Sequence, residues 1–357
     1  MKPSVLVVGF STRHVARSAF HAGYDVYAVD HFCDQDLAFY TKDRIGFEEL
    51  YELPEAVREM QVRHKIDYLV ATSGAETLDA GLPVLGTSHE VASRFLDKME
   101  TQSFLEELGV TVPVLARGEE YPVMLKPRTG SGGWRNHVAN SLLEMRQWEE
   151  TWPDIPFIAQ HVVPGTPASV CCVADGKHAR AIAVNEQILR GGEVSAYGFC
   201  GSITPFDHPS VDTMLVIAEK VASASGCVGT IGIDFVVGDE AWVIEINPRF
   251  QGTLDSVETA TGCNLFSLHA AACHGYLPPR KPLTEQYAVR EILFAEKDIM
   301  ITANLSNLSP AVSDIPWPGS SIEKGHAIIS VHGWGPTRSA AMLALRTNIT
   351  AVRSYVG

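Results

Sequence analysis

The 357-residue chain carries 28 Lys and Arg against 42 Asp and Glu, a formal net charge of −14, and 46% of it is hydrophobic. That length suits two to three domains with sizeable cores, and a charged fraction of 20% is too low for a disordered chain. The acidic balance argues against bulk attraction to nucleic acid or an anionic membrane, so ligands have to be held by local chemistry.

The apolar run Val5–Phe10 is too short for a signal-peptide core, and no stretch approaches the roughly 18 apolar residues of a membrane span, which predicts a cytoplasmic protein. Val5–Val8 reads as a short strand, Gly9 as a turn and His14–Gly23 as a helix; strands at Val26–Val29 and Asp67–Ala71 flank a helix near Pro54–Lys65, and Val84-Leu85 adds a further short strand. Repeated β-α-β implies a parallel sheet, yet Gly9-Phe10-Ser11-Thr12-Arg13 lacks the Gly-x-Gly-x-x-Gly of a dinucleotide site, which disfavours a nicotinamide cofactor. Thr87-Ser88-His89-Glu90 fits a capping box, Thr87 accepting from the first turn of one helix that runs to about Leu108. A boundary is expected near residue 88. Beyond it Pro122–Lys126, Phe157–Val163, Ser169–Ala174 and His178–Asn185 read as strands between Gly/Pro turns, a largely antiparallel layout. A helix at Val211–Ser225 precedes strands Thr230–Val237 and Ala241–Asn247; then come a helix at Thr261–Gly275, a linker at Leu277–Pro282 and a last helix at Arg338–Asn348. The seven cysteines are odd in number and form no Cys-x-x-Cys, so they read as reduced thiols.

The hairpin formed by the strands on either side of Gly238-Asp239-Glu240 carries the chemistry. Strand alternation puts Glu245 and Asn247 on one face, with Trp242, Ile244 and Ile246 on the other, and hairpin closure brings Asp234 opposite Glu245. Facing carboxylates repel unless a cation lies between them, and hard oxygen ligands suit Mg²⁺, with Mn²⁺ as an alternative. Taken alone, the same hairpin fits a solvated acidic face equally well. Pro248 can fix a turn that aims Arg249 at a phosphate or carboxylate. Lys126 ends an apolar strand just before the glycine loop Gly130–Gly133, whose N–H groups could cradle phosphate; Lys98, by itself, reads as a solvated helix residue.

The ordered set Asp97-Lys98, Met124-Leu125-Lys126-Pro127, Gly130–Gly133, Gln160–Gly165, Asp234 and Glu245-Ile246-Asn247-Pro248-Arg249 resembles the ATP-grasp superfamily over nearly the whole chain. Within it, Val7–Arg13, Asp30–Asp36 and Arg249–Asp255 are similar to a group of predicted ATP-dependent carboligases related to the biotin carboxylase branch. The resemblance implies an α/β and α+β architecture: a pre-ATP-grasp Rossmann-like domain at 1–88, a connecting helix and the start of the core at 89–120, a small lid with the glycine loop at 121–165, an ATP/Mg²⁺-binding central domain with an antiparallel sheet at 166–280, and a closing segment at 281–357. It implies that Lys98 and Lys126 contact ATP phosphates, that Ser131, Gly132 and Gly133 close over them, and that Gln160, His161, Val162 and Val163 form the hinge at the adenine edge. Asp234, Glu245 and Asn247 would hold Mg²⁺, and Arg249, Asn247 and Lys126 would serve catalysis. Family members often place an acid after the hinge for the ribose; residues 161–168 contain none, which leaves Thr166 or Ser169 as substitutes.

The implied reaction makes an acylphosphate from a small-molecule carboxylate and ATP, then joins it to an amine, in a cytoplasmic enzyme, and the homodimer common in the resembling family is the expected assembly. Its competitors are a biotin-carboxylase-like enzyme using bicarbonate and a non-catalytic nucleotide-binding subunit. Arg13, Asp30 and Arg190 are weak substrate-site candidates: the first two sit at the carboxyl ends of parallel strands, and an arginine between hinge and hairpin could receive a carboxylate. Gln187 and Tyr197 lie in the same segment as Arg190, and the Ser73–Glu76 turn could border the acceptor pocket or merely cap the helix after it.

Overall fold

The computed structural model describes residues 2–118, 120–130, 132–191 and 196–356. The first unit is a parallel sheet in the order β3-β2-β1-β4, built from β1 (Ser4–Gly9), β2 (Asp25–Asp30), β3 (Asp43–Gly46) and β4 (Tyr68–Ala71). Helices α1 (Arg13–His21), α2 (Gln35–Tyr40) and α3 (Leu53–Arg63) connect these strands. β1 is buried along its whole length because helices cover both faces of the sheet: Val5 and Val7 pack with α1, and Leu6 and Val8 with α3. Val84 pairs in parallel with Leu69, the short extra strand expected there. Strand order reverses between β1 and β4, so the crevice of this sheet opens between the turns after Gly9 and after Ala71.

The helix expected from residue 88 to Leu108 is two helices, α4 (His89–Ser93) and α5 (Lys98–Glu107). Ser88, not Thr87, caps the first, accepting from the Val91 N–H, while the Thr87 hydroxyl donates to the Val228 carbonyl. Asp97 interrupts the run because its carboxylate accepts from the N–H groups of Met99 and Glu100 and starts a new helix. That break makes Lys98 the first residue of α5.

A three-stranded sheet follows, β6-β5-β7, from β5 (Val123–Pro127), β6 (His137–Ala139) and β7 (Phe157–His161), backed by α6 (Leu142–Thr151). The remainder is organised on an eight-stranded sheet. Its members are β8 (Thr166–Asp175), β9 (Ala179–Leu189), β10 (Phe199–Thr204), β11 (Val228–Val237), β12 (Ala241–Asn247) and β13 (Tyr287–Phe294), joined by β15 (Val312–Ser313) and β17 (Ala327–Gly335); β14 (Ile299–Met300) and β16 (Ser321–Ile322) form a separate pair. β13 pairs directly with β10, so the chain beyond the Leu277–Pro282 linker extends the same sheet. α7 (Val211–Ala224) packs on β8 and β9. The single helix expected at Thr261–Gly275 is α8 (Leu254–Thr261) and α9 (Leu265–Cys273): Gly262, at φ +66°, ends the first, and Asn264 caps the second by accepting from Ser267 N–H. α10 (Arg338–Val356) runs past the expected end at Asn348, because Ile349, Val352 and Val356 continue its apolar face onto the core. Among the described residues no helix is long and apolar enough to cross a membrane.

Candidate active site

A cavity of about 560 Å³ lies between the small β6-β5-β7 sheet, the large sheet and the carboxyl ends of β1 and β4. β11 and β12 pair with Asp234 opposite Glu245, the register expected from the sequence. A bulge at Ile244 then shifts the pairing, so that Phe235 faces Val243. The extra residue reverses the alternation beyond it. Ile244 therefore lines the cavity with Glu245 and Asn247, and Val243 goes to the core with Ile233, Phe235 and Ile246. Trp242 and Ile244 therefore lie on the opposite face from Ile246, where unbroken alternation would have put all three together.

Asp234 is held from three sides. Its Oδ2 accepts from Asn247 Nδ2 at 2.9 Å, and its Oδ1 accepts from Gln187 Nε2 at 3.1 Å and Gln251 Nε2 at 3.2 Å. Burial first, and the neighbouring Glu245 carboxylate second, push its pKa up to about 7. A proton or a cation between the two acids relieves that repulsion. No group of three or more His, Cys, Asp or Glu side chains suited to a metal exists among the described residues. The chain thus offers two carboxylates and one amide, a partial oxygen set that fits Mg²⁺ completed by phosphate oxygens and water.

Opposite these acids stand the two lysines. Lys98 Nζ donates to Gly130 O at 2.8 Å and lies 3.8 Å from Glu245 Oε1. Lys126 is buried at the end of β5, and burial lowers its pKa to about 8, against the pull of Glu245 and with the push of Lys98. In the glycine loop, Gly132 and Gly133 line the cavity. Gly133 is at φ +71°, and a Cβ there would lie 2.1 Å from Tyr197 O, while Gly132 O accepts from Phe199 N–H at 3.3 Å. The loop is thereby laid against the segment entering β10. Ser131 lies outside the described residues. At the other end of the cavity, β7 presents Gln160 and His161, followed by Val162 and Val163. The His161 N–H is already given to Val114 O at 2.8 Å, so it is not available to an adenine edge. Ser169 is fully buried, its Oγ accepting from Asn185 Nδ2 at 3.3 Å, which removes it as a ribose ligand.

Arg249 enters from the turn after β12. Its Nε donates to Glu76 Oε1 at 2.6 Å, and Glu76 Oε2 accepts from Gly74 N–H at 2.7 Å. The Ser73–Glu76 turn after β4 therefore does border the cavity and anchors its arginine. The three weak substrate candidates are placed elsewhere. Arg13 is fully buried and spent on Asp255, Asp314 and Asp36, with Nη2 2.6 Å from Asp255 Oδ2. Asp30 is buried and accepts from Thr12 N–H and Oγ1 and from the N–H groups of Phe32 and Cys33, a closed turn. Arg190 lies over the Phe294 ring, 4.0 Å from its centroid, and donates to Gly325 O. In their place the cavity is completed by Ser11, His14, Gln251, Thr253 and Arg290, with Gln187 and Tyr197. One signal pointed to Gln251: Gly232 sits inside a strand, and a Cβ there would lie 1.9 Å from the Gln251 amide. Arg290 carries no motif; it reaches the cavity through β13, donating to Gly252 O at 3.1 Å and Asp314 Oδ2 at 2.9 Å.

Residues 95–253 match the family model described as an ATP-grasp domain. That matched segment holds Lys98, Lys126, Asp234, Glu245, Asn247 and Arg249, the residues on which the resemblance to the ATP-grasp superfamily rests. An uncharacterized protein of Methanocaldococcus jannaschii is 26% identical over 354 residues, covering 91% of this chain and 87% of that one. The fold is that of biotin carboxylase from Campylobacter jejuni, solved as a β-γ-ATP complex, with a TM-score of 0.79 at 16% identity over 100% of this chain and 92% of that one. It is equally recognisable in an L-amino acid ligase from Bacillus licheniformis, with a TM-score of 0.72 at 14% identity over 99% and 98% of the two chains.

Proposed function

We propose that the protein is an ADP-forming ligase that activates a small-molecule carboxylate with ATP as an acylphosphate and joins it to an amine. The observation that carries this reading is the convergence of Lys126, Asp234, Glu245, Asn247 and Arg249 on one cavity that also reaches the ligand end of the parallel sheet, with Lys98 3.8 Å from Glu245. A protein that only binds nucleotide has no need of that full set.

In the proposed reaction a carboxylate oxygen attacks the γ-phosphorus of ATP, the bond from phosphorus to the bridging oxygen breaks, and ADP leaves with the electron pair. The amine then attacks the acyl carbon, loses a proton, and inorganic phosphate departs with the electrons of the carbon–oxygen bond. Asp234, Glu245 and Asn247 would hold Mg²⁺, which when bound neutralises phosphate charge. Lys98 and Lys126 offset charge on the phosphates, and Arg249, oriented by Glu76, stabilises the charge that develops on the transferring group. The glycine loop, laid over the cavity at Tyr197–Phe199, keeps water from an acylphosphate.

Coupled ADP release measured across pools of carboxylates and amines tests the reading. Turnover that needs both pools supports it; turnover that needs only bicarbonate would replace it with the carboxylase reading, which the biotin carboxylase fold favours. ATP binding without turnover in any pool would reduce the protein to a nucleotide-binding subunit.

A further inference from the structure

The second step of the proposed reaction needs a group that takes a proton from the amine, and the residues already assigned offer none. Asp234 and Glu245 face the proposed metal position, Lys126 is mostly cationic at neutral pH, and the arginines have no lone pair to give. His161 Nε2 pairs with Glu120 Oε2 at 3.0 Å at the hinge, and Tyr197 is a phenol whose pKa is raised by burial.

His14 remains. It is the second residue of α1, lines the cavity together with Ser11 at the carboxyl end of β1, and is 9% exposed. Its imidazole has no hydrogen-bond partner among the described residues, yet its nitrogens are not sealed inside the protein and so open on the cavity. A polar side chain that is nine-tenths buried, unpartnered and aimed into a cavity calls for a ligand that completes its hydrogen bonds.

The fold holds this imidazole both in place and neutral. Arg13, beside it in the first turn of α1, is anchored to Asp255 and Asp314, and the Thr12 N–H is held by Asp30. The backbone that carries His14 is thereby tied to α8, to the segment after β15 and to the end of β2. Burial first, and the Arg13 guanidinium second, lower the His14 pKa from 6.5 to about 4; Arg290 adds to this, while Asp255 and Asp314 oppose it. The N-terminus of α1 likewise disfavours a cation there.

We infer that His14 is the catalytic base of the amide-forming step, taking the proton that the acceptor amine gives up as it attacks the acylphosphate. This rests on the acylphosphate reading and adds the group which that reading lacks. As the amine nitrogen bonds to the acyl carbon, an N–H proton moves to the unprotonated ring nitrogen of His14, and the carbon–oxygen bond breaks with its electron pair going to phosphate. The imidazolium, disfavoured beside Arg13 and Arg290, passes the proton to a phosphate oxygen; His14 ends neutral and hydrogen phosphate departs.

Hydroxylamine supplies the test, because it is largely unprotonated at neutral pH and captures acylphosphates as hydroxamates in free solution without a catalytic base. The full chain is given ATP, Mg²⁺ and pooled carboxylates with either hydroxylamine or pooled amines, and hydroxamates and amides are quantified by mass spectrometry. In His14→Gln amide formation should fall by about 10²–10⁴-fold, the range for removing a general base, while hydroxamate formation stays within about threefold. His14→Ala should show the same split, and added imidazole should restore its amide formation by about tenfold or more, a recovery that an unfolded protein cannot give. Hydroxamate without any amide in the unmodified protein, equal losses of both products in the variants, undiminished amide formation, or no rescue by imidazole overturns the inference. The acylphosphate reading survives each of these as long as the unmodified protein makes hydroxamate; hydroxamate from no carboxylate pool overturns both readings together.

Discussion

Truncating Glu76 should disable the proposed active site without touching a nucleotide ligand. The carboxylate lies on the turn after β4, is 8% exposed, and holds Arg249 Nε at 2.6 Å. A hydrogen bond between charged groups contributes about 1.5–3 kcal/mol. If the same interaction keeps the guanidinium aimed at the transferring phosphoryl group, its loss should lower kcat by between about tenfold and 150-fold, at about 1.4 kcal/mol per factor of ten. The KM for ATP should change by less than about threefold, because Arg249 is needed most when charge develops on the phosphoryl oxygens. Glu76→Ala should show the full loss, and Glu76→Gln, which keeps an acceptor for Nε, should recover part of it. Steady-state ADP release, with Glu76→Ala measured in both the unmodified and the Arg249→Ala background, separates positioning from general damage. If Glu76 acts through Arg249, its removal in the Arg249→Ala background costs nothing further in kcat. Independent, multiplying losses would refute the reasoning, as would a change in KM that accounts for the whole effect.

Other outcomes follow from the same geometry. Glu245→Gln should weaken Mg²⁺ dependence of ADP formation by about a hundredfold or more while the circular dichroism spectrum is unchanged, since Glu245 is a partly exposed cleft residue and replacing an anionic oxygen by an amide removes a charge from the proposed metal site; full activity at low Mg²⁺ would dismiss this hairpin as the metal site. Gly133→Ala should raise the KM for ATP more than Gly132→Ala: both glycines are left-handed, a strain of about 1–2 kcal/mol for alanine, but only the new methyl at 133 would run into Tyr197 O. Equal effects would show that the loop does not need this contact. Buried His269 should make the protein acid-labile. Its Nδ1 accepts from Thr230 N–H, and burial lowers its pKa from 6.5 to about 4. The unfolded chain takes up a proton near pH 6.5 and the native residue only near 4, so between those values the unfolded state binds more protons and stability falls as pH drops. The loss approaches roughly 3 kcal/mol by pH 4 for this one group. Urea unfolding across that interval should show a slope reduced by about one proton in His269→Gln; an unchanged slope would assign the acid lability elsewhere.

The sequence was most legible where one strand period and one cross-strand pair sufficed. Asp234 opposite Glu245 follows from alternation plus a short turn, and the structure reproduces it. The next residue was already beyond reach, because whether a strand bulges depends on what packs against it, and the bulge at Ile244 changes which side chains face the ligand. Helix boundaries failed for a related reason. Asp97 and Gly262 both sit in helix-compatible runs, and each ends or restarts a helix through a local hydrogen bond or a left-handed backbone that a periodic pattern does not register.

The substrate candidates failed for a deeper physical reason. Position at the carboxyl end of a parallel strand leads to a region that borders the cavity, where Ser11, His14 and Ser73 line it. It did not identify which polar residues of that region point inward. Arg13 looked available because an arginine near a ligand crevice usually is; its partners, Asp255 and Asp314, lie 242 and 301 residues away and approach only when α8 and β15 pack beside α1. That buried charge cluster has a structural consequence for the site. Asp314 also binds Arg290, which holds Gly252 in the turn that follows Arg249. Asp314, just after β15, thus braces the wall of the cavity at Gly252, and that wall is set by charge pairing between distant segments, which no local spacing can express.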